Sequence, residues 1–173
     1  MAGMIKLNTY ESFIRENRNA GIEGVVRDSD GEFLMAFSFP VHYSSNNQAE
    51  AMAANFGTKW CTQHGLSTIH IELDSMVIAN MLLNRGTNNL KLNNIIMDTT
   101  HALRDVTVQI SHCLREANQV AEFLGKLASS SGTDTFYHFL QQMPREAKGL
   151  FQLNRWQLPS MGRRYDKCIF FVS

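Results

Sequence analysis

Ile69-His70-Ile71-Glu72-Leu73-Asp74-Ser75 is the stretch on which the reading of this chain turns. Its apolar residues, Ile69, Ile71 and Leu73, alternate with polar ones, the period of a half-buried β-strand. The residues after it, Ser75 to Leu83, read as a helix over about 75–84 with Ser75 or Asp74 as N-cap. A carboxylate at the C-terminal end of a central strand stands where open α/β sheets place their ligands. Asp74 therefore has two readings, as a helix cap and as a site residue. The other carboxylates bear on which one holds.

Upstream, Met4 to Tyr10 reads as a first strand, Glu11 to Ala20 as a polar loop and Gly21 to Arg27 as a second strand. Asp28-Ser29-Asp30-Gly31 is turn chemistry, so the third strand, Glu32 to Phe39, closes a hairpin. Asn46 or Asn47 caps a helix that runs to about His64, with Gly65 as its stop. Met52, Phe56 and Trp60 lie on it at helical spacing and read as core. Downstream, Leu92, Ile95, Ile96, Thr99 and Leu103 mark another helix, and Val106 to His112 alternates as a fifth strand. Glu116 to Ser129 reads as a helix with Val120, Phe123, Leu124 and Leu127 on its apolar face. Asp134 can cap a short helix from Thr135 to Met143, ended by Pro144. Cys168 to Val172 is either a short added strand or an apolar tail.

The 173 residues suit one domain with an appendage, and 44% hydrophobic against 18% charged residues is enough for a core. No apolar run approaches the ~20 residues of a membrane span, and the N-terminus lacks a signal-peptide pattern. Cys61, Cys113 and Cys168 lie far apart, which argues for free thiols in a reducing compartment, cytoplasm or nucleus. Net charge is zero but unevenly spread. Residues 1–140 hold 10 Lys and Arg against 14 Asp and Glu, and residues 141–173 hold 6 against 2. A basic tail of this kind can track phosphates or dock on its own acidic body.

Three carboxylates fall at telling places. Glu50 lies in the first turn of the first helix, Asp74 closes the fourth strand, and Glu122 lies in the last helix before the appendage. Carboxylates gathered from different elements repel, and persist mainly where hard cations or basic partners neutralise them. Two-metal nucleases need such a cluster because two divalent ions flank the scissile phosphate. Each acid also has a plain structural reading. Glu50 near a helix start gains roughly 0.3–1 kcal/mol from the dipole, and Glu122 suits the solvent side of an amphipathic helix.

Seven pieces in this order resemble the RNase H-type domain of plant non-LTR retrotransposon reverse transcriptases and their free-standing relatives. They are Lys6-Leu7-Asn8-Thr9, Ala20 to Gly31, Asn46-Asn47-Gln48-Ala49-Glu50-Ala51, Ile71 to Ser75, Asn89 to Leu92, Ser111-His112 and Arg115 to Ala121. The resemblance covers about residues 5–128. It implies an α/β fold: a mixed five-stranded sheet in the order 3-2-1-4-5, antiparallel then parallel, with helices on both faces. Residues 1–131 are then the RNase H-like domain and 132–173 a C-terminal extension with a short helix and a basic, aromatic tail. The implied activity is cleavage of RNA in RNA/DNA hybrids, using two Mg²⁺ or Mn²⁺ ions held by four acids. Glu50 matches the second acid and Asp74 the third. Asn47, Gln48, Arg115 and Asn118 match nucleic-acid contacts.

Two of the four acids depart from the pattern. The family's Asn-Thr-Asp-Gly reads Asn8-Thr9-Tyr10-Glu11 here, and Glu122 replaces an Asp. Tyr10 stands at the ligand that both metals share, and a phenol titrating near ~10 is neutral at pH 7. Glu11 is expected to point away from the site, because neighbouring strand residues face opposite sides unless the strand bulges. His112 carries no implied proton-transfer role. The expectation is a degenerate site, impaired in catalysis, with weak or absent Mg²⁺ or Mn²⁺ binding by Glu50, Asp74 and Glu122, that acts by binding RNA or RNA/DNA hybrid. One alternative is an active metal-dependent hybrid ribonuclease. Another is a domesticated protein-interaction module, its partner surface built from the bulky residues of the extension: Phe136, Tyr137, Phe139, Leu140, Phe151, Trp156, Ile169, Phe170 and Phe171. No membrane partner is expected.

Overall fold

Three antiparallel strands set the sheet: β1 (Ile5–Ile14), β2 (Asn19–Arg27) and β3 (Phe33–Val41). The computed structural model describes residues 3–14, 19–42, 45–113, 119–155 and 169–172. The β2–β3 turn forms because Asp28 Oδ1 accepts from the amides of Asp30 and Glu32, at 2.9 and 2.8 Å, while Gly31 takes a φ of 78°. The register places Tyr10 opposite Glu23 and Glu23 opposite Ser38.

Helix α1 (Asn46–Gln63) then crosses the sheet. Ser45 caps it, accepting from the Gln48 amide, in place of the expected Asn46 or Asn47. Next come β4 (Thr68–Leu73), α2 (Met76–Leu83), α3 (Leu90–Ala102), β5 (Thr107–His112) and α4 (Gln119–Ser131). β4 runs parallel to β1, and β5 parallel to β4. The order 3-2-1-4-5 is thus present, with helices on both faces.

Helices α1, α2 and α3 cover one face. Leu7, Ile69, Ile71, Leu73 and Ile110 meet Ala49, Ala53, Ala54, Ile78 and Ile96 there. Small residues let α1 lie close: a Cβ added at Gly57 would sit 2.6 Å from Leu7 Cδ1. Burying each such leucine or isoleucine contributes about 1.5–3 kcal/mol.

The extension departs from expectation. β6 (Thr135–Tyr137) and a short 3₁₀ turn (Leu140–Gln142) replace the predicted helix over 135–143. The reason is tertiary. The open edge of β3 takes Thr135, Phe136 and Tyr137 opposite Ser38, Phe37 and Ala36, and burial of Tyr137 outweighs the weak local signal. α5 (Arg145–Arg155) follows, and its Ala147 and Phe151 join Val25, Ala36, Val120 and Leu124 in a second core on the other face. β7 (Ile169–Val172) pairs antiparallel with β5, so the strand reading of that segment holds. Seven strands result, in the order β6-β3-β2-β1-β4-β5-β7. No helix among the described residues is long and apolar enough to cross a membrane.

Candidate acidic site

β1 supplies residues to both faces. Its odd positions face α1: Leu7 lies against Gly57, and Thr9 Oγ1 donates to Glu50 Oε1 at 3.3 Å. Its even positions face α4: Ser12 Oγ donates to Gly125 O at 2.9 Å, and Tyr10 shares this face with Glu23. Glu11 therefore points toward Glu50, not away from the acids as its position next to Tyr10 suggested. The strand does not bulge there; its pairing with β2 runs unbroken from Lys6 to Ile14. The acids draw on both faces at the point where β4 ends. β1 also continues through Glu11 and Ser12 to Ile14, where a loop was predicted. Glu11 is buried, and its charge acts on both Glu50 and Glu23.

Asp74 follows β4. It is not the cap of α2, because Ser75 Oγ accepts from the Ile78 amide at 3.3 Å. The Asp74 backbone is held by His112, whose Nε2 donates to its carbonyl at 3.1 Å. Ser75 Oγ also donates to Asn47 Oδ1 at 3.4 Å, which ties the starts of α1 and α2. Glu50 sits one turn into α1 rather than in its first turn, and is fully buried. Burial first, then the Asp74 charge, a hydrogen bond with the Asp74 carboxyl and the Glu11 charge hold its pKa well above the usual carboxylate range. The Thr9 hydroxyl opposes them. Glu50 Oε2 meets no hydrogen-bond donor among the described residues.

The other expected residues divide. Tyr10 is buried at 5% exposure. Glu122 pairs with Lys126 one turn along α4, at 2.8 Å, with its side chain 33% exposed. Asn47 is exposed and Gln48 half-buried at the start of α1. Arg115 and Asn118 lie outside the described residues. Among the described residues, no group of three His, Cys, Asp or Glu side chains is placed to hold a metal ion.

Two buried features escaped the sequence. One is Glu23, fully buried on β2 under Gly125 of α4. The other is a charged network on the α4 side of β1 and β4. Glu72 Oε2 accepts from Asn8 Nδ2 at 2.7 Å, and Glu72 Oε1 pairs with Lys6 at 3.0 Å. Arg27 donates through Nη2 to Asn8 Oδ1 at 3.0 Å and stacks 5.3 Å over the Phe151 ring. The clue was present in the alternation, because His70 and Glu72 are the polar positions of a strand buried on both faces.

A family model described as reverse transcriptase-like matches residues 8–128. The chain belongs to this family. It is an RNase H-like domain, and Tyr10, Glu50, Asp74 and Glu122 all lie within the matched span. A provisionally named ribonuclease H protein of Arabidopsis thaliana is 28% identical over 130 residues, 74% of this chain and 21% of the relative. The chain thus spans about a fifth of that protein. RNase H1 of Halobacterium salinarum has the same fold, with TM-score 0.68 and 21% identity over 75% of this chain and 99% of that one. LC11-RNase H1, solved in complex with RNA/DNA hybrid, aligns with TM-score 0.65 and 21% identity over 73% of this chain and 97% of that one. RNase H-like proteins generally use divalent metal ions.

Proposed function

We propose that this RNase H-like domain, of retroelement origin as its motifs suggest, binds RNA/DNA hybrid and cleaves it little or not at all. Tyr10 is the observation that carries the reading. Its neutral, buried ring occupies the strand position where the family pattern has the acid shared by both metals. Losing a shared ligand commonly costs orders of magnitude in rate, because the attacking and leaving oxygens lose their common clamp.

The remaining donors support the same reading. Glu50 and Asp74 are close enough to share a proton, and Glu122 is engaged by Lys126. With a phenol in place of the shared acid and Glu122 held by Lys126, the reading entails weak or absent Mg²⁺ or Mn²⁺ binding. Binding of a hybrid is supported by the hybrid-bound neighbour and by Asn47, exposed at the start of α1 beside Asp74 and Ser75. A-form-like duplexes are read through shape and 2′-hydroxyls, with an affinity that falls steeply with salt.

A labelled RNA/DNA hybrid tests both halves. The expected result is a gel shift that weakens with added salt, and negligible cleavage with Mg²⁺ or Mn²⁺. Robust cleavage that disappears in Asp74→Asn would overturn the reading; no shift at any salt would point to the protein-interaction alternative. Tyr10→Asp combined with Glu11→Gly and Glu122→Asp is expected to gain Mn²⁺ binding by calorimetry. Absence of any gain counts against Tyr10 as the cause.

A further inference from the structure

Beneath α4 lies an acid that the site above does not require. Glu23, in the middle of β2, has 0% exposure, and neither carboxyl oxygen meets a donor among the described residues. The carboxyl is pressed against α4 at Gly125. A Cβ placed there would sit 1.8 Å from Oε1, 2.2 Å from Cδ and 2.6 Å from Oε2. No side chain fits at position 125 while Glu23 lies under it. Beside this contact, Ser12 Oγ donates to Gly125 O at 2.9 Å and Ser38 Oγ to Leu124 O at 2.8 Å. Acid, glycine and two hydroxyls make one seat for one helical turn.

We infer that Glu23 and the Cβ-free Gly125 act as a latch that seats α4 on the sheet, and that α4 lifts when the Glu23 side chain takes a charge. The surroundings favour the uncharged form. β1 contributes Glu11 and Tyr10, α1 contributes Glu50, and Asp74 follows β4. β3 offers only the hydroxyl of Ser38 opposite, and on α4 the charges of Glu122 and Lys126 pair with each other. Burial, then the charges of Glu50, Glu11 and Asp74, keep Glu23 protonated well above the usual carboxylate range. An ionised carboxylate with no partner is costly inside a protein, and admitting water by lifting one helix relieves that cost. The helix that moves carries Glu122. The latch thus couples a proton to the placement of the fourth acidic position, whether or not the domain binds a hybrid.

Hydrogen exchange of the α4 amides, compared across pH after correction for intrinsic exchange, reads the latch directly. In the wild-type chain protection of residues 119–131 is expected to fall as pH rises, by up to about tenfold per pH unit. In Glu23→Gln it is expected to stay flat. The same decline in both proteins, or none in the wild type, overturns the proposal. A stability cycle tests the fit without reference to charge. Gly125→Ala is expected to lower the melting midpoint in the wild-type background. In Glu23→Ala it is expected to be neutral or to raise it, since alanine is the better helix former. If Gly125→Ala alone fails to fold, rescue by Glu23→Ala supports the latch. Equal shifts in the two backgrounds, or no rescue, sink it.

Discussion

Glu72 and Glu50 are both buried carboxylates beside β1, and their surroundings are of opposite kinds. Glu72 has Lys6 and Asn8 as direct partners and Arg27 one hydrogen bond further, with Phe151 covering the guanidinium. Glu50 has Asp74, Glu11 and Glu23 near it, with the Thr9 hydroxyl donating to it. β1 therefore runs beside one acid, on β4, surrounded by compensating charge and another, on α1, surrounded by its own sign. The first arrangement is what stability alone would select. The second is tolerated at a cost, and such costs concentrate where a fold serves function.

The largest expected effect comes from spoiling the compensated side. Glu72→Ala leaves Arg27 buried without its opposite charge, and should lower unfolding stability by about 3 kcal/mol in a urea titration. A loss below about 1 kcal/mol would mean that Lys6 and Arg27 reach water freely. A smaller effect of opposite sign is expected on the uncompensated side. Glu50→Gln removes a group that ionises only at a cost here and gives Asp74 a permanent donor. At neutral pH it should gain stability on the order of 1 kcal/mol.

The pH profile sharpens the contrast. The native pKa of Glu50 is raised, so its contribution is full below the unfolded value near ~4.3 and is lost as pH rises through the native value. Stability of the wild-type chain should slope downward over that window, and more gently in Glu50→Gln; identical slopes would show that Glu50 is not a source. The smallest effect is expected from Lys126→Ala, which removes an exposed pair one turn apart and should cost about 0.2–0.5 kcal/mol. A much larger loss would show that Lys126 neutralises the acid cluster as well as Glu122.

The contrast also explains what the sequence disclosed. Strands such as 69–73 announce themselves because alternation and β-branched residues are local properties. The acids at 50 and 74 were legible because helix starts and strand ends are legible. The direction of Glu11 was not. One-residue alternation sends it to the face opposite Tyr10, but where β4 stops the acids draw on both faces, so opposite directions still converge. Glu23 was missed because a lone glutamate in Gly21-Ile22-Glu23-Gly24 reads as solvent-facing. Only α4, a hundred residues later, buries it. β6 was missed for a similar reason: three residues carry too little periodicity, and their state is decided by the unpaired edge of β3.

β6 and β7 come from the last forty residues and lie at the two outermost positions of the sheet. A molecule shortened to the span that matches its family would keep Glu11, Glu23, Glu50, Glu72, Asp74 and Glu122 and yet bare the backbone amides and carbonyls of β3 on one rim and β5 on the other. Bare rims of that kind recruit neighbouring molecules. The tail thus works as selvedge, the bound margin that keeps a woven cloth from being stitched to the next piece.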